Sequence, residues 1–139
     1  MARTPDGSMA PFQNAEQLLA AVPEVREIAD VHMVTLPEVD SSNISPEYWL
    51  DLAKTVAKKY SEFDGFVITH GTDTMAYTAS ALAFMLQELD KPVVFTGSQV
   101  SIGVLGSDGP RNLVNAFRVA ASDCAEVVIV FGSRIIRGV

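Results

Sequence analysis

The sequence is poor in the residues that build metal centres and disulfide frameworks. It has one cysteine, Cys124, and two histidines, His32 and His70, and no spacing of Cys, His or Asp resembles a metal-ligand set. A single cysteine cannot form an intramolecular disulfide, so the fold does not require an oxidising compartment. We therefore expect no metal site and no cofactor, and we expect Cys124 to be inert.

Positive charge is scarce as well. The chain carries 10 Lys and Arg residues against 17 Asp and Glu residues, a formal net charge of −7, and the basic residues form no cluster. Such a chain lacks the positive surface that binds nucleic acid, and an anionic membrane would repel it. Residues 1–22 contain no continuous apolar stretch, which argues against a signal peptide or a membrane span. We expect a cytoplasmic protein that binds a small molecule, with no nucleic acid or membrane as partner.

Three widespread motifs are also missing. Neither G-x-G-x-x-G nor a Walker A pattern occurs, so a bound nucleotide is not indicated. The G-x-S-x-G turn is absent too, which excludes the usual nucleophile elbow of serine hydrolases.

What the sequence does contain is a regular alternation of helices and strands. Of its 139 residues, 48% are hydrophobic and 19% are charged, which is enough apolar material for one domain with a sizeable core. The predicted strands are apolar throughout, which is typical of a parallel sheet buried on both faces. We predict an α/β fold, a mostly parallel sheet with helices on both faces in a flavodoxin-like layout. Strands are predicted over residues 32–36, 66–69, 93–99 and 127–131, and helices over residues 14–23, 45–60, 75–86 and 110–121.

The sequence changes character abruptly after His70. A buried strand ends there, and a long apolar helix begins after Gly71-Thr72-Asp73-Thr74. Thr72 or Asp73 could simply cap this helix, since Thr and Asp are frequent N-caps. In parallel sheets, however, ligands bind beyond the carboxyl ends of the strands, and two more polar clusters follow predicted strands. These clusters are Asp40-Ser41-Ser42 and Ser98-Gln99, and with the turn after His70 they predict a ligand site.

The stretch around this turn resembles a known family. Residues 64–75, Asp-Gly-Phe-Val-Ile-Thr-His-Gly-Thr-Asp-Thr-Met, resemble the second signature of the bacterial-type L-asparaginases. Asp40-Ser41-Ser42 resembles the substrate loop of the cytoplasmic, type I branch of that family. Residues 91–99 resemble the next strand, and residues 107–113 resemble the turn and helix that follow. The resemblance covers essentially the whole chain and implies part of the N-terminal domain of that family.

The resemblance implies an activity and a set of roles. The family hydrolyses L-asparagine, and sometimes glutamine, to the acid and ammonia by threonine-based catalysis without a metal or cofactor. By resemblance, Thr72 is the second of two active-site threonines, and Asp73 binds the α-amino group of the substrate. Ser41 and Ser42 hold the α-carboxylate end, and Asp40 belongs to the same loop.

Further roles are implied for residues near the turn and for the assembly. Ser98 is implied as a substrate-binding residue. His70 is by its residue type a candidate general base. The resemblance instead implies a structural role for His70 and a lysine, placed against the threonine, as the base. Because sites in the family form between subunits, a homodimer or homotetramer is implied for the complete enzyme.

Some features of the family do not occur in this sequence. Family members begin with a strand that ends in Gly-Gly-Thr and carries the primary nucleophile, and no such strand is found. Residues 2–13 correspond to the lid of the family, but no tyrosine precedes Tyr48. Residues 134–139 resemble the segment before the active-site lysine. We therefore expect residues 1–139 to be a partial N-terminal α/β domain, without the first strand and the C-terminal domain.

Two other functions remain open at this point. A non-catalytic module that binds an amino acid, or that assembles with another subunit, would use the same Thr72-Asp73 and Ser41-Ser42 pairs. A glutaminase subunit of a transamidation complex shares the signature and would act on a different amide.

We predict that the 139-residue chain by itself releases no substantial ammonia from asparagine. The reason is that the primary nucleophile and the base of the family are not found in it. The measurement is ammonia release by the purified chain at saturating asparagine. Turnover in the ordinary enzymatic range, about 1–10³ per second, would contradict the prediction.

Overall fold

A computed structural model of the chain describes residues 2–3, 9–10, 15–37 and 39–139. None of the helices in these ranges is long and apolar enough to cross a membrane. Two short 3-10 turns, Pro23–Glu27 and Ser41–Asn43, accompany the regular elements. In chain order those elements are β1 (Ala2–Arg3), β2 (Met9–Ala10), α1 (Ala15–Ala21), α2 (Pro46–Lys59), β3 (Phe66–Thr69), α3 (Met75–Met85), β4 (Val93–Thr96), α4 (Gly109–Ala120), β5 (Val127–Phe131) and β6 (Arg134–Arg137).

The main sheet has the strand order β3-β4-β5-β6. β3 pairs with β4, and β4 with β5, in parallel, so that Phe66 lies opposite Val93 and Val93 lies opposite Val127. β6 runs antiparallel to β5 at the edge of the sheet. The predicted α/β fold with a mostly parallel sheet is therefore confirmed.

The central strands β4 and β5 are buried on both faces under helices, as their continuous apolar sequences predict. On one face Phe95 packs with Leu52 of α2 and Leu82 of α3. On the other face the neighbouring Val94 packs with Ala116 of α4. α1 lies in this second layer, where its buried residues cluster with those of α4.

Helix α2 shows how a local pattern positions one of these layers. Pro46 begins the helix, where its missing N–H and its fixed φ are tolerated. One face of the helix is apolar and meets the core, since Leu52 and Val56 are buried and Trp49 and Tyr60 pack against the same core cluster. This face therefore holds α2 against the sheet and places the Trp49 ring near α3.

The two crossover connections of the parallel strands differ in hand. The steps from β3 to β4 and from β4 to β5 go in the same direction across the sheet. The first passes through α3 on one face, and the second passes through α4 on the other face. Two such steps over opposite faces have opposite hands, so one of the crossovers is left-handed. About 98% of such connections are right-handed, and the residue pattern does not show this exception.

The predicted strand over residues 32–36 is wrong. This segment forms no ladder with the described residues, and Val34 is 55% exposed. A strand requires a neighbour about 4.8 Å away with which it exchanges hydrogen bonds, and an alternating pattern does not supply one. The ring of His32 instead packs beside Phe63, with 5.2 Å between the ring centroids.

β6 is an element that the sequence analysis did not predict. Gly132 and Ser133 connect it to β5 in a two-residue hairpin, with Phe131 opposite Arg134. Gly132 has a φ of +61°, which glycine adopts readily at the first central position of a type II′ turn. The Gly-Ser pair between two apolar runs is the signal that would have identified the hairpin.

Two short strands lie within the segment that the sequence analysis compares with the lid of the family. β1 and β2 pair antiparallel, with Ala2 opposite Ala10 and Arg3 opposite Met9. Backbone pairing of this kind needs no hydrophobic periodicity, which is why the pattern does not show it. The remainder of residues 1–13 lies outside the described residues.

Asn112 holds three segments together at the carboxyl ends of the strands. Its buried side-chain amide donates to the Gly97 carbonyl at 2.9 Å and to the Asp108 carboxylate at 2.9 Å. Its carbonyl oxygen accepts from the Gly132 amide at 2.9 Å. The end of β4, the loop before α4 and the β5–β6 hairpin are thus tied to one side chain.

We predict that Asn112→Ala lowers the free energy of unfolding by about 2–3 kcal/mol, because it leaves buried polar groups of Gly97 and Gly132 without partners. Asn115→Ala is the matched control, since the Asn115 amide donates to the Gly132 carbonyl at 2.9 Å and to no second acceptor in the described part of the chain. For it we expect a loss of about 1 kcal/mol. Urea unfolding followed by circular dichroism distinguishes the two, and equal losses would contradict the assignment.

Candidate functional site

The fold brings the predicted polar clusters to one edge of the sheet. The turn after β3 lies against the loop at residues 40–43, because a Cβ added at Gly71 would lie 2.5 Å from Ser41 Oγ and 2.7 Å from Ser41 Cβ. The Thr74 hydroxyl donates to the Ser41 carbonyl at 2.6 Å. On the other side, the α-carbon of Gly97 lies directly against the His70 carbonyl. All three clusters therefore lie at the edge where β3 and β4 end.

Asp40 organises the loop on the Ser41 side. Its carboxylate accepts from the Ser42 amide at 2.9 Å and from the Ser42 hydroxyl at 2.7 Å, and so caps the 3-10 turn Ser41–Asn43. The hydroxyl and the amide of Ser42 lower the pKa of Asp40. Ser41 is buried, whereas Asp40 and Ser42 are exposed. Asp40 is thus an ionised residue that shapes the loop.

The interpretation of Thr72 or Asp73 as a helix cap is wrong. α3 begins after Thr74, and no side chain among the described residues caps its first amides. The Thr74 hydroxyl bonds to Ser41 instead of to the helix. In the part of the chain that the structure describes, the half-buried Thr72 and the exposed Asp73 make no side-chain hydrogen bond. Their polar groups, and the positive end of the α3 dipole, are therefore available to a ligand.

His70 has both ring nitrogens occupied. Nδ1 lies 2.6 Å from the Gly71 carbonyl oxygen, and Nε2 lies 2.9 Å from the Thr78 hydroxyl. Burial of the imidazole, which outweighs the bond to Gly71, lowers the pKa of His70 below its usual range. A neutral ring with both nitrogens engaged is not available as a general base for Thr72. This geometry agrees with the structural role expected for His70.

Ser98 lies half-buried where the chain leaves β4. The loop after it is fixed by Asp108, whose carboxylate accepts from the Gln99 amide at 3.0 Å and from the Val100 amide at 3.0 Å. Burial alone would raise the pKa of Asp108, but the hydrogen bonds from the Val100 and Gln99 amides and from Asn112 outweigh it and lower that pKa. Ser98 is thereby held at the same edge as the turn after β3.

Some residues that organise this edge were not identified from the sequence. Asp108 and Asn112 follow the glycine-rich loop, and the run Ser107-Asp108-Gly109-Pro110 signalled a turn but not its partners. Trp49 and Thr78, whose side chains form a hydrogen bond of 3.0 Å, lie among apolar helix residues and look like ordinary core residues in the sequence. Their contacts join residues far apart in the chain, so no local pattern could have shown them.

The edge is an open surface with acidic side chains. Among the described residues, no group of three or more His, Cys, Asp or Glu is arranged to hold a metal ion. Two surface hollows lie elsewhere, at the amino ends of the parallel strands, one beside Asp64 and Lys91 and the other beside Leu86 and Val127. Lys91 is engaged there, donating to the Tyr60 carbonyl at 2.8 Å.

Comparison with known proteins identifies relatives over the whole chain. A family model described as Asparaginase, N-terminal matches residues 1–139. L-asparaginase 1 of Escherichia coli (strain K12) is 46% identical over 143 residues, which cover 99% of this chain and 42% of that protein. A glutamyl-tRNA(Gln) amidotransferase subunit of Thermococcus kodakarensis is 50% identical over 117 residues, which cover 84% of this chain and 27% of that protein.

Solved structures agree with this similarity. The thermostable L-asparaginase from Thermococcus kodakarensis superposes with a TM-score of 0.91 at 38% identity, covering 99% of this chain and 42% of that one. The probable cytoplasmic L-asparaginase from Campylobacter jejuni gives a TM-score of 0.86 at 37% identity, covering 94% and 41%. The chain thus spans less than half the length of the relatives it matches.

We predict that Thr74→Val loosens the turn at residues 41–43, because it removes the hydrogen bond to the Ser41 carbonyl. A loss of about 1 kcal/mol is expected, which corresponds to roughly fivefold faster local opening. The measurement is hydrogen exchange of the Asn43 and Ile44 amides, which bond to the Asp40 and Ser41 carbonyls. Thr74→Ser keeps the hydroxyl and should exchange at the original rate; faster exchange in this variant as well would contradict the role of the hydroxyl.

Proposed function

The chain belongs to the asparaginase family, and from this premise we propose that it forms part of an amidohydrolase that converts L-asparagine and water into L-aspartate and ammonia. The observation that carries the proposal is the meeting of the Ser41 loop with the Thr72-Asp73 turn at the carboxyl ends of β3 and β4. We further propose that residues 1–139 act as part of an N-terminal α/β domain of this family.

The side chains at this edge suit a zwitterionic amino acid. An ammonium group requires a carboxylate, and the exposed Asp73 has no competing partner among the described residues. A carboxylate requires hydroxyl or amide donors, which Ser41, Ser42 and Ser98 supply. The Ser42 hydroxyl already donates to Asp40, so it can donate to the substrate carboxylate only after giving up this bond. The role we propose for Asp40 is therefore to orient the loop that carries Ser42.

The reaction we propose uses threonine hydroxyls. One threonine hydroxyl attacks the side-chain amide carbon and gives its proton to the base. The C–N bond then breaks, the nitrogen takes up that proton, and ammonia leaves. Water hydrolyses the resulting ester, which releases aspartate and restores the threonine hydroxyl. Thr72 is one of the two active-site threonines, at the positive end of α3, where uncapped amides favour the negative charge that develops on the carbonyl oxygen. A lysine from outside the described residues supplies the base, because His70 is engaged at both nitrogens.

We also propose a cytoplasmic homodimer or homotetramer. Support for the location comes from the relative titled a probable cytoplasmic L-asparaginase. Support for assembly comes from α3, which is apolar on all sides and leaves Tyr77 67% and Phe84 68% exposed. A helix that is hydrophobic all round is normally covered on every side, so subunit contact is the expected use of this surface.

An alternative function is the glutaminase reaction of a transamidation complex, which the similarity to the amidotransferase of Thermococcus kodakarensis favours. The second alternative is a module that binds an amino acid without turnover. Both use the same edge of the sheet. They differ from the main proposal in which amide, if any, is hydrolysed.

The proposal is tested by comparing ammonia release from asparagine, glutamine and a glutaminyl substrate with the intact protein. Asparagine should be preferred, and Thr72→Val should lower kcat by about 10³-fold or more because a reacting hydroxyl is lost. Thr55→Val is the matched control, since Thr55 bonds to the Asp51 carbonyl within α2. Preference for the glutaminyl substrate would favour the first alternative.

Calorimetry with asparagine and aspartate decides the remaining case. Binding without hydrolysis of any amide would support the non-catalytic module, and Asp73→Asn should then weaken that binding because the ammonium loses its carboxylate. Absence of both binding and turnover in the intact protein would reject all three functions.

A further inference from the structure

A chain of hydrogen bonds runs from helix α2 to the turn that carries Thr72. Trp49 Nε1 donates to Thr78 Oγ1 at 3.0 Å, and Thr78 Oγ1 lies 2.9 Å from His70 Nε2. His70 Nδ1 lies 2.6 Å from the Gly71 carbonyl oxygen. Thr78 is fully buried in the apolar helix α3. The side chains of Trp49, Thr78 and His70 thus form a series of hydrogen bonds that ends at the Gly71 carbonyl.

The direction of each bond follows from the chemistry of its groups. The Gly71 carbonyl only accepts, so His70 Nδ1 must carry the proton. Burial lowers the pKa of His70, so the ring is neutral and its Nε2 has a lone pair. The Thr78 hydroxyl therefore donates to Nε2 and accepts from Trp49, whose indole N–H can only donate. Reversing any one bond would leave two donors or two acceptors facing each other.

The last bond acts on the peptide unit that precedes Thr72. The carbonyl of Gly71 and the amide of Thr72 belong to one rigid plane, so a bond that fixes the first also fixes the second. Gly71 offers no side chain of its own to hold this plane, because Ser41 occupies the space where a Cβ would lie. The His70 ring is itself held from the far side by an edge contact with Phe95, with 5.9 Å between the centroids.

We propose that Trp49, Thr78 and His70 are positioning residues that set the backbone of Thr72 for the reaction, an inference that rests on the proposed hydrolase function. A purely structural role would not need hydroxyl and indole N–H groups, since apolar side chains can pack at both positions. Apolar side chains cannot supply the directed series of hydrogen bonds that selects one tautomer of His70.

The first test is the tautomer of His70 in the intact protein labelled with ¹⁵N-histidine. Nuclear magnetic resonance should show the proton of the neutral ring on Nδ1, with Nε2 unprotonated. His32, 63% exposed at its side chain, is the internal reference for a histidine outside the chain of bonds. A proton on Nε2, or a mixture of the two tautomers, would overturn the proposal whether or not the protein hydrolyses asparagine.

The second test uses substitutions that remove the hydrogen-bonding groups. Thr78→Val is nearly isosteric, and Trp49→Phe keeps an aromatic ring of smaller size. Thr78→Val and Trp49→Phe should shift the Thr72 amide resonance and lower kcat on the order of 10- to 100-fold, the effect expected when a reacting group is displaced by a fraction of an ångström to 1 Å. Thr78→Ser keeps the hydroxyl and should restore both readouts. Failure of this rescue, or a Thr72 resonance and kcat unchanged in Thr78→Val, would overturn the proposal.

Thr96→Val is the matched control for lost stability. Thr96 is buried like Thr78, and its hydroxyl donates to the Val130 carbonyl at 2.9 Å and not to His70 or Gly71. The Thr96→Val variant should lower the unfolding temperature about as much as Thr78→Val does, but it should leave the His70 tautomer unchanged. If the intact protein hydrolyses no amide, the proposed function fails, while the tautomer and the Thr72 resonance still test the hydrogen-bond chain.

Discussion

Thr74 joins two segments that are more than thirty residues apart in the chain, and the arrangement of the site depends on this contact. Its hydroxyl donates to the Ser41 carbonyl at 2.6 Å, and the absence of a side chain at Gly71 allows Ser41 to approach the same turn. Without both features the loop that carries Ser42 would not lie beside Thr72 and Asp73. A hydroxyl that could have capped a helix is used to bring two loops together.

The sheet provides the frame on which this contact can form. Because β3, β4 and β5 are parallel, their carboxyl ends reach one edge of the sheet, and the loops that follow them lie there. Hydrogen bonds of Asn112 and Asp108 then fix the loop after β4 and the β5–β6 hairpin at this edge. Stability and site geometry are linked here, since Asn112 is buried and no buried side-chain polar atom of the described residues lacks a hydrogen-bond partner.

Helices α2 and α3 contribute more than apolar surface to this edge. Trp49 and Thr78 belong to the packing layer, yet their polar atoms are directed toward His70 and the turn after it. The layer thereby links the core to the backbone of Thr72. Residues of this kind look like ordinary core positions in a sequence, because the pattern reports which face is buried and not where a hydroxyl points.

The sequence by itself determined the α/β class, the parallel strands and the position of Thr72, Asp73 and Ser98 at the edge where two of these strands end. These follow from local composition and from the rule that parallel strands end together. Ser41 reaches the same edge through its contacts with Thr74 and Gly71, since no strand directly precedes its loop in the described part of the chain. The tertiary structure alone decided that residues 32–36 form no strand, that the helices of successive crossovers cover opposite faces, and that Thr74 bonds to Ser41 instead of capping α3. Each of these depends on a partner distant in the chain, and a local pattern carries no information about such a partner.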